Sequence, residues 1–396
     1  MAQLTLFLTF LRLGCTSFGG PVAHLSYFRE EFVVRKQWLS EIEYANLIAL
    51  CQFIPGPASS QVGAAVGYAR GGYLGAVLAW IGFTLPSALV MLVAALTLLS
   101  TQSSELLDWL HGLKLVAVAV VAQAIFGMQK QLCTTVTTRL ITLISAGSLL
   151  AIQWQFMQLI VIAGGLIAGL LFCSSHQSDR KESPSITDQL TSRSTRVFST
   201  GLLGAFTIGL VVLPLLATQS NELISMFDKF YRSGALVFGG GHVVLPLLFN
   251  EFVPPSLVGE TDFFIGYGAA QALPGPLFTF ATFLGAASIE PNAIIAAVLA
   301  TIAIFLPGML LLFAVLPYWH TVNQNKSVKC ALIGINAAVV GLLLAALIDP
   351  IITTAISTVT DVAIVLVALF ALIRFKLHPL WAIVGCLVSH GFVLII

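Results

Sequence analysis

Charge is what this sequence has least of. Only 9% of its 396 residues are Asp, Glu, Lys or Arg, against about 25% in soluble domains. A water-soluble exterior cannot be assembled from so few. Hydrophobic residues make up 58% and the mean hydropathy is +0.98, so the chain reads as an all-α, polytopic membrane protein in contact with a lipid bilayer. The net charge is +1, which singles out no bulk electrostatic partner and argues against nucleic acid. Catalytic and redox signatures are also missing. The six cysteines (Cys15, Cys51, Cys133, Cys173, Cys330, Cys386) form no C-x-x-C pair and read as small packed hydrophobes. The seven histidines show no H-E-x-x-H or paired metal spacing, and there is no P-loop, G-x-G-x-x-G after a strand, or G-x-S-x-G. No cofactor, metal or enzymatic activity is expected. The opening "MAQLTLFLTFLRLG" lacks a basic stretch and a small-residue cleavage site, so it reads as membrane segment rather than signal peptide.

What is present is repetition. Thirteen apolar segments can be counted, with a polar linker over 174–196 after the sixth. "RLGCTSFGG" (12–20) aligns with "RSGALVFGG" (232–240), and Glu31-Phe32 then falls on Glu251-Phe252 without a gap. One deletion later Gln52 and Pro55-Gly56-Pro57 fall on Gln271 and Pro274-Gly275-Pro276, and "FTLPS" (83–87) falls on "IFLPG" (304–308). Residues 1–173 and 224–396 are expected to be two copies of one unit. The linker 174–223 carries one extra transmembrane helix at 197–217. An odd segment between copies that each cross an even number of times inverts the second copy.

The basic residues indicate how the copies are threaded, because cytoplasmic loops collect Lys and Arg. If all thirteen segments span, eleven basic residues lie on the N-terminal side and five opposite, setting aside Arg12 and Arg232 within apolar segments. If the FGG and PGP segments instead enter and return as hairpins, the division is fourteen against two. Both drawings place the N-terminus inside the cell and the C-terminus outside, in a plasma (cell inner) membrane. The hairpin drawing also suits the lengths. The 11 residues 44–54 make only about 16 Å of helix, half of a hydrocarbon core of roughly 30 Å. Prolines break helices, and broken backbone at that depth must be buried in protein or line a wet cavity. Inverted repeats with paired broken helices are the pattern of a secondary transporter whose site lies where the repeats meet.

Several residues are candidates for that site. Arg12 and Arg232 occupy equivalent positions inside apolar segments, where a guanidinium costs roughly 2.5–3.5 kcal/mol, and their planar forks suit an oxyanion. Snorkelling or pairing with a carboxylate is the alternative. Gly19, Gly20, Gly239, Gly240 and Gly241 permit close backbone approach and open half-helix N-termini that attract an anion; tight helix packing is their plainer use. Pro55, Gly56, Pro57, Pro274, Gly275 and Pro276 form the breaks, and Gln52 and Gln271 lie three residues before them. His242, beside Gly241, is a better site candidate than His24, for which a backbone hydrogen bond is expected. Glu31 and Glu251 are matched carboxylates, read either as solvated segment ends or as proton-coupling and ion-pairing groups; Glu43 and Asp262 form a similar pair.

These stretches resemble a known family. "LGCTSFGGPVAHLSYFREEFV", "WLSEIEYANLIALCQFIPGPASSQVGAAVGY" and "VFGGGHVVLPLL…ALPGPLFTFATFLGA" look like the chromate ion transporter (CHR) family, in its long two-domain form, over nearly the whole chain. The resemblance implies thirteen segments in halves of opposite orientation and export of chromate, with a link to sulfate. The expected function is efflux of a tetrahedral oxyanion by alternating access. Import or exchange of sulfate or another oxyanion, and an anion channel, are the rival readings. A homo-oligomer is left open.

Overall fold

The computed structural model describes residues 2–100, 104–152, 154, 157–173, 193–217, 221–238, 241–289, 291–375 and 379–395. Among them the regular structure is helical throughout. In chain order the helices are α1 (Ala2–Thr16), α2 (Gly20–Arg29), α3 (Glu41–Phe53), α4 (Ala58–Ser100), α5 (Ser104–Leu132), α6 (Val136–Ala151), α7 (Met157–Phe172), α8 (Arg193–Ala217), α9 (Glu222–Ala235), α10 (Val244–Phe252), α11 (Glu260–Ala272), α12 (Phe280–Ser288), α13 (Ala293–Val315), α14 (Lys326–Ala346), α15 (Val359–Arg374) and α16 (Pro379–Ile395). Short helical turns fill 316–324 and 347–355.

Among the described residues, five stretches are long and apolar enough to cross a bilayer: Ala58–Leu98, His111–Leu132, Val197–Ala217, Ala293–Tyr318 and Lys326–Ala355. The first is 41 residues long, about 60 Å as one rod, twice what a bilayer needs. It is not one rod. Gly71 and Gly72 leave helical geometry, Gly72 with φ of 62°, so a short arm over 58–70 precedes a membrane-length arm over 73–100. The short arm matches α3 before it (13 residues), and each is about 20 Å long. The second copy repeats the sequence of lengths: α11 has 13 residues, α12 has 9, and α13 has 23.

The described chain divides into two compact units. One gathers 1–93, 176–244 and 273–325, and the other gathers 94–175, 245–272 and 326–396. The first unit holds the breaks. Its core includes Phe10, Phe28, Phe32, Leu50, Val62, Val66, Ala79 and Phe83, joined by Leu312 of the second copy. Two equivalent close contacts organise it. A methyl group on Gly14 would stand 2.7 Å from the Phe83 carbonyl oxygen, and one on Gly234 would stand 2.2 Å from the Ile304 carbonyl oxygen. Gly14 aligns with Gly234 and Phe83 with Ile304, so each copy docks its first helix on its own long helix through the same glycine.

In the second unit the copies exchange partners. The copy-1 helix α5 packs against α15 and α16 of copy 2, and the copy-2 helix α14 packs against α6 and α7 of copy 1. The exchange is tight at Gly165, Gly169 and Gly334, whose added methyl groups would meet facing backbone at 2.0–2.9 Å. Small residues are the usual means of bringing membrane helices this close. Thr142 Oγ1 seals the same contact by donating to the Ala337 carbonyl at 2.9 Å.

Candidate functional site

The site begins with a problem of unsatisfied backbone. A helix interrupted within a membrane exposes N–H and C=O groups that find no water. At 55–57 and 274–276 the sequence answers by removing donors. In each Pro-Gly-Pro the two prolines have no N–H, so the glycine N–H is the one backbone donor left. Gly56 N donates to the Val237 carbonyl at 2.8 Å, and Gly275 N donates to the Ser17 carbonyl at 2.9 Å. Ser17 and Val237 are aligned positions, each just before its own Phe-Gly-Gly. Each copy's Pro-Gly-Pro is therefore bonded to the other copy's glycine break. The two bonds are related by a pseudo-two-fold exchange.

Glycine is required at both breaks. Gly56 has φ of 126° and Gly275 φ of 98°, in the region that L side chains avoid. Space is short as well. A methyl group on Gly56 would lie 2.9 Å from the Gly308 Cα, and one on Gly275 would lie 2.8 Å from Ser87 Oγ. Gly308 and Ser87 are again aligned positions, one residue after Pro307 and Pro86 within the long helices. The first glycine break meets the second directly, since a methyl group on Gly241 would stand 3.2 Å from Pro21 Cγ. Gly19 and Gly20 both have positive φ, 97° and 74°. Beyond Gly20 the direction a side chain would take is open, with no heavy atom within 4 Å. Gly20 and Pro21 open the ten-residue half-helix α2, whose N-terminal N–H groups face the break.

Polar side chains line the crossing. Gln61 is fully buried, and its Nε2 donates to the Pro55 carbonyl at 2.9 Å and the Gly308 carbonyl at 3.0 Å. It thus clamps one copy's break onto the other copy's long helix. His24 is also fully buried, with Nδ1 3.3 Å from Ser59 Oγ and its ring edge-on to Phe83. The Ser17 backbone supplies the hydrogen bond expected for His24, and the Ser59 hydroxyl is a second polar neighbour. Ser87 Oγ donates to the Thr84 carbonyl, and Thr279 Oγ1 to the Pro276 carbonyl. Several polar atoms here are buried with no hydrogen-bond partner: Ser17 Oγ, His24 Nε2, Ser60 Oγ, Trp80 Nε1, Gln61 Oε1 and Thr84 Oγ1. Most can donate, and buried polar groups left unpaired are uncommon. Such a set suits a ligand rich in acceptors.

The remaining sequence candidates fall into three groups. Arg12 is exposed on α1, on the stripe that also carries Leu4 and Leu8. Arg232 is half-buried on α9, and its Nε donates to Asp228 Oδ2 at 2.9 Å, one turn earlier. Asp228 aligns with Leu8, so the first copy has no such carboxylate. Glu31 is buried but does not serve Arg12; Lys36 Nζ and Arg35 Nη1 lie 3.7 and 3.8 Å from its oxygens. Glu43 closes a capping box with Ser40 at the start of α3, a local structural use. Gln52 is exposed, whereas Gln271 is buried in the second unit and shares a hydrogen bond with Tyr267. Gly239 and Gly240 lie outside the described residues, as does the side chain of His242. Sequence reasoning passed over Gln61 and Asp228. The spacing of four between Asp228 and Arg232 was a usable signal for the latter; Gln61 had none, because its counterpart is Phe280.

Comparison with known proteins fits this architecture. The chromate transporter family model matches the chain twice, over residues 4–170 and 224–390. An uncharacterised transporter of Methanocaldococcus jannaschii is 28% identical over 87% of this chain and 83% of its own length. A chromate transport protein of Pseudomonas aeruginosa is 28% identical over 88% of this chain and 81% of its own, and one of Cupriavidus metallidurans is 25% identical over 95% and 88%. No solved structure matches. Two family matches in tandem, on a chain of membrane-length apolar helices, make this protein a multi-pass membrane protein of the chromate transporter family.

Proposed function

We propose that this protein carries chromate out of the cell, by alternating access at the reciprocal crossing of its two glycine breaks. The observation that carries the reading is the pair of exchanged hydrogen bonds, Gly56 to Val237 and Gly275 to Ser17. They make a joint in which neither copy's break is complete without the other. A rocking motion of one copy against the other must pass through that joint, which is where secondary transporters keep their substrate. The family relationship supports chromate, and sulfate shares its tetrahedral shape and double charge. A transporter, rather than an enzyme, also accounts for the missing catalytic motifs.

In this reading the copies are 1–173 and 224–396, with α8 as the odd helix that inverts the second. The half-helix arms enter and return, which leaves Arg29, Arg35 and Lys36 in the cytoplasm with the N-terminus, in an inner membrane. Lys36→Cys is then labelled from the cytoplasmic side and Pro255→Cys from outside. The dianion is met by the α2 N-terminus at Gly19 and Gly20, by Gly241 and His242, and by the hydroxyls of Ser17, Ser60 and Thr84. Arg12 supplies an uncompensated charge at the mouth, and Arg232 a charge balanced by Asp228. Glu31, held by Arg35 and Lys36, is structural in this scheme. The membrane potential sets the direction. At 100 mV, negative inside, each exported negative charge gains roughly 2.3 kcal/mol, and a dianion twice that.

The test is flux of labelled chromate and of labelled sulfate in proteoliposomes with imposed voltage. The proposal expects saturable chromate flux, driven toward the positive side and slowed by sulfate. Flux that stays linear with concentration would mean a channel, and sulfate flux driven only by a cation gradient would mean an importer.

A further inference from the structure

The second unit contains an ionisable cluster that the transport reading does not use. His111 of α5, Asp361 of α15 and His390 of α16 come together, although about 250 residues of chain separate the first from the other two. Asp361 is 2% exposed. It is the third residue of α15 and closes a capping box with Thr358. Its Oδ2 is fully engaged, accepting from Ser357 N at 3.0 Å, Ser357 Oγ at 3.0 Å and Thr358 N at 2.9 Å. That fixes the carboxylate plane and leaves Oδ1 pointing at the histidines. His111 Nε2 lies 3.6 Å and His390 Nδ1 4.0 Å from Oδ1. Both separations are too long for hydrogen bonds, and both nitrogens are buried without a partner. The ring centroids are 4.7 Å apart.

We infer that these three side chains form a binding site for a first-row transition-metal dication of the Zn²⁺ type. The donor atoms all lie within 4.8 Å of one another. A four-coordinate Zn²⁺ with bonds of about 2.0–2.2 Å holds its ligands roughly 3.3–3.6 Å apart, so closure asks for shifts of about 1 Å or less. A proton shared between Asp361 and a histidine would instead draw one nitrogen to within about 3 Å. Two imidazoles and one carboxylate select zinc, cobalt or nickel over magnesium and calcium, which take oxygen ligands. The Ser357 and Thr358 bonds to Oδ2 are the outer-shell support that ligating carboxylates require. Lys114, one turn along α5, is the nearby opposing charge, and Asp262 lies within its electrostatic reach.

The fold does not demand this cluster. The aligned capping box of copy 1, at the start of α6, has Thr138 where α15 has Asp361. The exchanged contact there is closed by Gly165, Gly169 and Gly334. One of two equivalent exchanges is thus sealed by three glycines, while the other has the looser contact of Gly112 with Leu387 Cα, 3.1 Å from an added methyl group, and carries three metal donors. A bound ion would clasp α5 of copy 1 to the α15–α16 pair of copy 2.

The experiment is Co²⁺ titration of the full-length protein, purified without a polyhistidine tag and stripped of metal, read by visible absorption. Zn²⁺ displacement and the Zn²⁺-dependent rise in unfolding temperature are the second readout. The expected result is one Co²⁺ per chain, displaced by Zn²⁺. His111→Ala and His390→Gln should each weaken binding by about 100-fold or more. Ser357→Ala, which keeps all three ligands and the helix cap of Thr358, should weaken it by about tenfold, the scale for loss of an outer-shell partner. Monodisperse elution of each variant shows that it is folded. Absence of stoichiometric Co²⁺ or Zn²⁺ binding in the wild-type protein would overturn the site. So would wild-type affinity in the two histidine variants, which would place the metal elsewhere.

Discussion

The two crossings are built on one plan and finished differently. Gly56 and Gly275 make the same bond to the same aligned carbonyl, but their surroundings differ. Gly56 faces the Cα of Gly308 and is clamped by Gln61, whereas Gly275 faces the hydroxyl of Ser87 and has Phe280 where Gln61 would stand. The first helices of the copies differ likewise: Arg232 is balanced by Asp228, whereas Arg12 has Leu8 at the aligned position. A duplicated fold fixes where backbone must break and meet. It leaves each copy free to choose how rigid and how charged its own crossing is. One crossing is clamped by the Gln61 amide; the other has no such clamp, and its copy pairs its arginine with a carboxylate.

The largest effects should come from the glycines. Gly56→Leu and Gly275→Leu should each lower chromate flux by 100-fold or more (about 2.7 kcal/mol of barrier), since a strained φ alone costs on the order of 1–3 kcal/mol and neither site has room. Alanine should separate the copies. Gly56→Ala pushes on the Gly308 backbone and on the buried Gln61 amide that clamps it, and should be nearly as damaging as Leu. Gly275→Ala pushes on a hydroxyl, and adding Ser87→Ala should restore part of the flux. Equal alanine effects with no rescue would remove the distinction between the clamped and the unclamped crossing.

Next in size are the two arginines. Arg12→Gln should weaken chromate binding by roughly tenfold or more, because charge-assisted bonds are worth about 1.5–3 kcal/mol. Arg232→Gln should cost less. Asp228→Asn should tighten binding severalfold, and only while Arg232 is present. Calorimetric titration of the single and double variants checks this, and identical losses at the two arginines would show that Asp228 does not matter.

Smaller still is the clamp. Gln61→Leu leaves the Pro55 and Gly308 carbonyls unpaired in a buried site, which should destabilise the protein by about 1–3 kcal/mol, seen as a lower unfolding temperature. Phe280→Leu at the aligned position should do so only through lost packing. At the bottom of the scale, Arg29 and Glu41 pair on an exposed surface. Their removal should leave the unfolding temperature essentially unchanged, because solvent screens both charges.

Much of this was legible in the sequence. Pro-Gly-Pro and Phe-Gly-Gly announce breaks because proline and glycine act through local backbone geometry, and that survives in any context. The alignment of the copies revealed which positions correspond. It could not reveal which copy each position touches, because Gly56 bonding to Ser17 or to Val237 fits the same alignment. Only folding decides that exchange. Arg12 and Glu31 illustrate the limit from the other side. Both are charged residues flanking the same Phe-Gly-Gly in sequence, yet Glu31 is taken by Arg35 and Lys36 on its own turn. The cluster of His111, Asp361 and His390 was invisible for the same reason as the exchange, since no spacing motif links residues from three helices and two copies.

The measurement that bears most directly on the central claim is equilibrium binding of chromate to purified protein in lipid nanodiscs, for the wild type and for Gly56→Leu and Gly275→Leu. If the oxyanion site is the joint made by both copies, the wild type binds one dianion per chain and either substitution alone removes binding from a folded, monodisperse protein. Wild-type affinity in both variants would contradict the account and reduce the exchanged breaks to a packing device.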